Sequence, residues 1–136
     1  MANINLVTAS RIRVVKSIEQ DTAPAEEAIV AGAPVRRGTG GRFTNANGTT
    51  AGEALVYGIA THDAAAGESL TAINDGELDG YVLDGLAYGA SVFLSDTDGR
   101  LADAAGTVSL IVAEVAAAHS QQLGVAPDKV LRLKLA

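Results

Sequence analysis

This chain has few residues of the types that commonly bind metals or act in catalysis, and their spacing does not match that of known sites. The 136 residues include no cysteine and only two histidines, His62 and His119. Neither histidine has a second one at the HxH or HExxH spacing that binds zinc, and without cysteine no thiolate site can form. We therefore predict surface or turn histidines, no bound metal and no cofactor.

A pattern similar to the start of a calcium loop begins at residue 95 and fails further along. Residues 95–99 read Ser-Asp-Thr-Asp-Gly, but the twelfth position counted from Asp96 is Thr107. An EF-hand supplies a bidentate glutamate at that position. Because the Asp-Gly pair at 98–99 is a common hairpin dipeptide, we predict a hairpin turn here.

Two further patterns could belong to an enzyme. Asp75, Glu77 and Asp79 could supply paired carboxylates for glycoside hydrolysis, yet the chain has only three tyrosines and two phenylalanines for a sugar-binding surface. Residues 38–42 are rich in glycine but lack the Lys-Ser/Thr pair of a phosphate-binding loop. We expect turns or loops at both places and no catalytic residue.

The elements that must position these residues follow a plan that occurs twice. Residues 31–36 and 88–93 each read as a Gly-Ala turn leading into a strand, and apolar runs follow at 55–60 and 110–115. The shared plan of turn, strand, glycine-rich hairpin and buried strand predicts one domain built from two related halves. Two copies are too few for a solenoid.

Turn dipeptides divide the rest of the chain into short segments of strand character. Asn-Gly or Asp-Gly pairs favour hairpin turns because glycine adopts positive φ without a Cβ clash, and they occur at 47–48, 75–76, 79–80, 84–85 and 98–99. The predicted strands are 28–31, 34–37, 54–61, 69–73, 77–83, 91–95, 107–115 and 129–135. A long loop is expected at 38–53, and a short helix is an alternative at 115–119 because alanine favours helices.

Short strands at this spacing predict an all-β fold, and a small barrel is favoured because closure removes exposed strand edges. Residues 21–136 are expected to form this single domain, preceded by an extended N-terminal arm at 1–20. Within the arm, residues 11–15 should form a short strand. Residues 21–24, with Pro24 tolerated early in a helix, could open one helical turn.

The predicted arm combines apolar and cationic side chains, and no turn is apparent that would return it onto the domain. Such a segment is expected to be mobile when free and to become ordered on a partner. The residues expected to make that contact are Ile4, Leu6, Val7, Arg11, Ile12, Arg13, Val14 and Lys16.

Charge is distributed unevenly along the chain, whose net charge is −6. Residues 43–128 contain twelve acidic residues and a single basic one, Arg100, whereas residues 1–42 and 129–136 are net positive. An acidic body disfavours nucleic-acid binding, which needs a basic face. No apolar stretch reaches the length of a membrane span. Neither nucleic acid nor membrane is therefore expected as a partner.

Several strand and turn motifs resemble those of one protein family. They are Ala-Gly-Ala-Pro-Val at 31–35, Val-Tyr-Gly-Ile-Ala at 56–60, Gly-Ala-Ser-Val-Phe-Leu at 89–94 and Asp-Thr-Asp-Gly-Arg-Leu at 96–101, behind a polar arm that begins Met-Ala-Asn. In this arrangement the chain resembles bacteriophage capsid decoration proteins, also called cement or head-stabilising proteins. The resemblance implies a domain of the β-tulip type and a homotrimer bound at three-fold positions of the capsid exterior.

The same resemblance implies a structural protein of the virion, made in the host cytoplasm, whose arm becomes ordered against the major capsid protein. It implies no catalytic residue. The alternative is a small β module that binds a small ligand or carbohydrate, which would need an aromatic platform beside polar groups. An enzyme on a small barrel, such as a nucleotide hydrolase, would need phosphate-binding motifs that the sequence lacks.

Overall fold

The computed structural model describes residues 3–6, 12–83, 85–117 and 129–135, and nearly all of their regular structure is antiparallel β-sheet. One short 3-10 turn, Thr39–Gly41, is present, and no α-helix occurs in these ranges. The strands are β1 (Arg13–Pro24), β2 (Pro34–Arg37), β3 (Phe43–Asn45), β4 (Val56–Ala60), β5 (Ser69–Asp79), β6 (Ser91–Leu94), β7 (Leu101–Ala102), β8 (Ile111–Ala117) and β9 (Lys129–Leu133). They form one curled sheet with the shape of a half-barrel, which confirms the prediction of an all-β, barrel-like fold.

Strand β5 lies in the middle of this sheet and links its two halves. The order of strands is β3-β2-β4-β5-β9-β8-β6-β7, and β1 pairs with β5 outside that path. The middle of β5 pairs with β4 at Ala72 and Ile73, and its end pairs with β9 at Glu77 and Leu78. Because it pairs with both β4 and β9, β5 belongs to both halves of the molecule. Its opposite edge is paired with β1 along its whole length.

The two halves repeat each other in strand order and in register. In the first half β2 lies between β3 and β4, and in the second β6 lies between β7 and β8. The register of β2 against β4 shifts between Val35 and Arg36, and that of β6 against β8 shifts at the matching place, between Val92 and Phe93. An irregularity conserved between both halves indicates that they share one local design.

The turns that lead into β2 and β6 are also equivalent. Gly32 and Gly89 have φ angles of 87° and 86°, values that a Cβ atom disfavours. Gly32 donates its N–H to the carbonyl of Ala60 at 2.8 Å, and Gly89 donates to the carbonyl of Val115 at 2.7 Å. Both turns thus bond the partner strand in the same way. The matching turns and register shifts agree with the predicted plan of two related halves.

The hydrophobic core lies on both faces of the sheet where β4 meets β5. Ile59 and Ile73 form one cross-strand pair and belong to the larger cluster of buried side chains. Ala60 and Ala72 form the next pair and belong to a second cluster around Phe43. Since successive residues of a strand point to opposite faces, this part of the sheet is covered on both sides.

Some predicted strand boundaries were wrong. The predicted strands 69–73 and 77–83 are replaced by one strand, β5, which runs through the Asp-Gly pair at 75–76 instead of turning there and ends at Asp79. The loop predicted at 38–53 contains β3, and residues 28–31 contribute only an isolated bridge between Ile29 and Ala64. At 115–119 the described residues, 115–117, are the end of β8 and not a helix.

The N-terminal region differs most from its prediction. The helical turn expected at 21–24 is wrong, because these residues complete β1, which pairs with β5 from Arg13 to Pro24. Proline is tolerated at the end of an outer strand because its missing N–H costs no ladder hydrogen bond there. Residues 3–6 also lie on the body, with Asn3 bridging Ala102 and Leu6 bridging Tyr81.

Candidate functional site

The residues predicted to contact a capsid are divided by the structure into buried and exposed groups. Ile4 and Ile12 are only 6% and 7% exposed and are part of the larger core cluster. Leu6 is partly buried against the same cluster. While the N-terminal residues are docked as observed, Ile4 and Ile12 offer almost no surface to a partner, and Leu6 offers only the part that lines a groove.

The other predicted contact residues lie on the surface or outside the described ranges. Arg13, Val14 and Lys16 are exposed at the start of β1 and are available to a partner. Val7 and Arg11 lie outside the residues that the structure describes. Among the described residues predicted to contact a capsid, only the three at the start of β1 are exposed.

Hydrogen bonds to the second half of the molecule hold the N-terminal residues in place. Ile4 donates its N–H to the carbonyl of Leu101 at 2.8 Å, and Arg100 Nη2 donates to the carbonyl of Ile4 at 3.2 Å. Arg100 Nη2 also donates to Asn5 Oδ1 at 3.0 Å. Asn3 accepts a hydrogen bond from the hydroxyl of Ser95. These partners lie more than ninety positions away in sequence, so no local sequence pattern predicts the contacts.

A groove of about 610 Å³ lies beside the docked N-terminal residues and is lined mainly by apolar side chains. Val30 and Val82, both about half-exposed, stand at its surface. Among the described residues of its lining, Tyr81 is the only aromatic one; its ring is buried, and its hydroxyl donates to the carbonyl of Gly32 at 2.7 Å. Burial raises the pKa of Tyr81 far above its ordinary value. Arg100 supplies the only charged side chain of this described lining.

Strand β1 presents two apolar side chains that have no partner on β5. Val14 pairs with Leu78 and Lys16 with Glu77, so Val15 lies in a register shift between them. Ile18 lies in a second shift, between the pairs formed by Ser17 and Glu19. Val15 and Ile18 are 42% and 62% exposed. Irregularities of this kind redirect side chains away from the regular pleat.

Ion pairs fasten both ends of β1 to the body. Arg13 Nη2 lies 3.4 Å from Asp79 Oδ2 at the start of the strand. Near its end Asp21 pairs with Arg37, and Arg37 lies over the rings of Phe43 and Tyr57, 4.3 and 5.0 Å from their centroids. The hydrogen bond from the backbone N–H of Thr22 lowers the pKa of Asp21 most, and the hydrogen bond from Arg37 lowers it further. β1 is thus held at its ends while its middle carries the exposed apolar residues.

The carboxylates at 75–79 and the described histidine, His62, have structural roles. Asp75, Glu77 and Asp79 lie within β5 and not in turns; Asp79 pairs with Arg13, and Glu77 lies 3.4 Å from Arg132. His62 is exposed, and its Nε2 accepts the N–H of Thr71 at 3.2 Å. His62 is therefore a surface histidine as predicted, whereas His119 lies outside the described residues.

The segment that resembles the start of a calcium loop is a turn between β6 and β7, as predicted. Thr107 stands where an EF-hand has its calcium-binding glutamate, and it has no carboxylate to offer. Thr107 donates its N–H to Asp96 Oδ1 at 2.9 Å and its hydroxyl to Asp96 Oδ2 at 2.7 Å. These two hydrogen bonds lower the pKa of Asp96. The carboxylate is thus used to hold residues 96 and 107 together.

Comparison with known proteins adds no assignment to these surfaces. In the described part of the chain, no group of three or more His, Asp or Glu side chains is arranged to hold a metal ion. The same residues contain no helix long and apolar enough to cross a membrane. No protein-family model matches the sequence, and neither does any curated protein.

Proposed function

We propose that this chain is a bacteriophage capsid decoration protein, a structural component of the virion and not an enzyme. It acts as a homotrimer at three-fold positions on the capsid exterior, contacts the major capsid protein and stabilises the head against internal pressure. The motifs at 31–35 and 89–94, which resemble that family, are the equivalent turn and strand segments of the two halves. The proposal thus starts from segments that define the fold.

The observation that carries the proposal is the exposure of β1. All twelve of its residues are exposed or half-exposed, and among the described strands β1 pairs only with β5, so its outer main-chain edge is unpaired. A long outer strand with an unpaired edge promotes aggregation unless a partner covers it. A surface that binds a protein shell supplies such a partner, since adding a strand gains main-chain hydrogen bonds without needing a pocket.

The curled body suits a clamp between neighbouring subunits. β5 pairs with strands of both halves, so a load applied to one half passes directly into the other. Many copies bound around one shell give avidity from individually modest contacts. The cations Arg13 and Lys16 would speed encounter with an acidic partner surface, an effect that salt weakens.

Co-assembly tests the proposal directly. The protein is expressed together with the major capsid protein from the same phage genome, and heads are sedimented at low and high salt. We expect the protein to sediment with the heads and to raise the temperature at which they disassemble. Failure to sediment with heads under either condition would overturn the proposal.

The alternative, a module that binds a small ligand or carbohydrate, is favoured by one observation, the apolar groove beside Tyr81. Sugar sites usually offer an exposed aromatic face, whereas the Tyr81 ring is buried and its hydroxyl is bonded to Gly32. Nuclear magnetic resonance titration with a panel of mono- and disaccharides separates the two functions. Shifts confined to the groove at millimolar sugar would support the alternative.

A further inference from the structure

Two exposed apolar features occur on the same chain. The first, here called the ridge, is formed by Val14, Val15 and Ile18 on the outer strand β1. The second is the groove described above, whose exposed walls include Val30 and Val82. Isolated exposed apolar residues are ordinary, but three of them close together on an outer strand, on a chain that also has an apolar groove, are typical of interaction surfaces.

We propose that the ridge of one copy seats in the groove of a second copy of this chain. The proposal rests on the homotrimer of the proposed function and specifies the surfaces that form it. Contact between two different surfaces is heterologous, and repeating it by a rotation closes a ring. A three-fold ring needs this kind of contact, whereas β1 pairing with itself would be isologous and would stop at a dimer.

Charge supports the same pairing. Arg100, the only Lys or Arg between residues 43 and 128, lies in the groove, and among the described residues it contacts backbone and amide oxygens but no carboxylate. Glu19, next to Ile18, has no cationic partner in the described ranges. The proposed contact places Glu19, beside the ridge, next to Arg100 of the groove. Complementary charge of this kind fixes orientation more than it adds affinity.

Two variants remove one surface each and leave the other intact. Ile18→Asp places a charge on the ridge, and Val82→Asp places one in the groove; Val30→Asp is a second groove variant. Leu55→Asp is the control, because Leu55 is 73% exposed and lies on neither surface. Circular dichroism and thermal unfolding verify that each variant folds like the wild type.

Sedimentation velocity then measures association up to about 0.5 mM, where complexes of micromolar Kd assemble. We expect trimers of the wild type and of the Leu55 variant, and at least tenfold weaker association of each ridge or groove variant. An equal mixture of the Ile18 and Val82 variants retains one intact contact, so it should form a 1:1 dimer that grows no further. A wild type that stays monomeric would overturn the proposal.

A different pattern of results would also overturn it. If the Ile18 variant loses association while both groove variants keep it, β1 pairs with itself and the groove is not used. Because the chain has no cysteine, Ile18→Cys mixed with Val82→Cys should form an intermolecular disulfide on oxidation, and Leu55→Cys with Val82→Cys should not. Head binding is scored separately, so a trimer that fails to bind heads refutes the proposed function and leaves this interface standing.

Discussion

Gly76 lies so close to Lys16 that no side chain fits between the two strands. A Cβ atom on Gly76 would sit 2.1 Å from the carbonyl oxygen of Lys16, well inside van der Waals contact. Gly76 also has a φ of 148°, which other residues rarely adopt. This contact lies within the irregular part of β1, beside the exposed Ile18. Gly76 is therefore the position on β5 that permits β1 to take its shape.

Replacing Gly76 with alanine should separate β1 from β5. The added methyl group meets backbone on the opposite strand, so the strand must move, and we expect a loss of about 2–3 kcal/mol in the free energy of unfolding. Hydrogen exchange should show faster exchange of the β1 amides than of β8. Gly52→Ala is the control, because open space surrounds Gly52. Unchanged β1 protection in the Gly76 variant would contradict the prediction.

Three isoleucines in the N-terminal region should respond very differently to truncation. Ile4→Ala and Ile12→Ala each leave a cavity in the core, so we expect losses of about 2–4 kcal/mol in unfolding free energy. Ile18→Ala should change it by no more than about 0.5 kcal/mol, because Ile18 is mostly exposed. Chemical denaturation at low protein concentration measures all three. Equal small effects would show that Ile4 and Ile12 do not pack in the core in solution.

Asp96 should make the fold sensitive to acid. Its pKa is lowered below the ordinary 3.8 by the two hydrogen bonds from Thr107. A lowered folded pKa means that the stabilisation is complete above the ordinary value and is lost as pH falls through the lowered one. Stability should therefore fall below about pH 4. Asp96→Asn should flatten this part of the pH profile of thermal unfolding, and an unchanged profile would contradict the prediction.

Arg37 should control the titration of Tyr57. Desolvation raises the pKa of Tyr57 first and the nearby Asp21 and Glu19 carboxylates raise it further, while Arg37 lowers it. Removing the cation by Arg37→Ala should therefore raise the pKa of Tyr57, and also that of Asp21, which loses its ion pair. Nuclear magnetic resonance titration follows both groups. Arg42→Ala is the control, and an unchanged Tyr57 pKa in the Arg37 variant would contradict the contact geometry.

The features that depend only on residues close together in the sequence were determined by the sequence alone. β2 has the bounds predicted for it, 34–37, and the paired turns at Gly32 and Gly89 follow from Gly-Ala segments that are visible in the sequence. A turn glycine is required by the φ angle of its own residue, so a local pattern is sufficient to find it. The all-β class and the two-half plan were predictable for the same reason.

Tertiary structure alone decided where distant segments meet. The pair at 75–76 has the composition of a turn, but Gly76 instead accommodates the backbone of Lys16 because β1 lies against it. Ile4 belongs to the core because its backbone pairs with Leu101, and the ridge exists because β1 has more residues than the part of β5 it faces. The same glycine or isoleucine is compatible with either role. Its environment is created by residues far along the chain, so only the folded arrangement selects between a turn and a contact, or between an arm and a core.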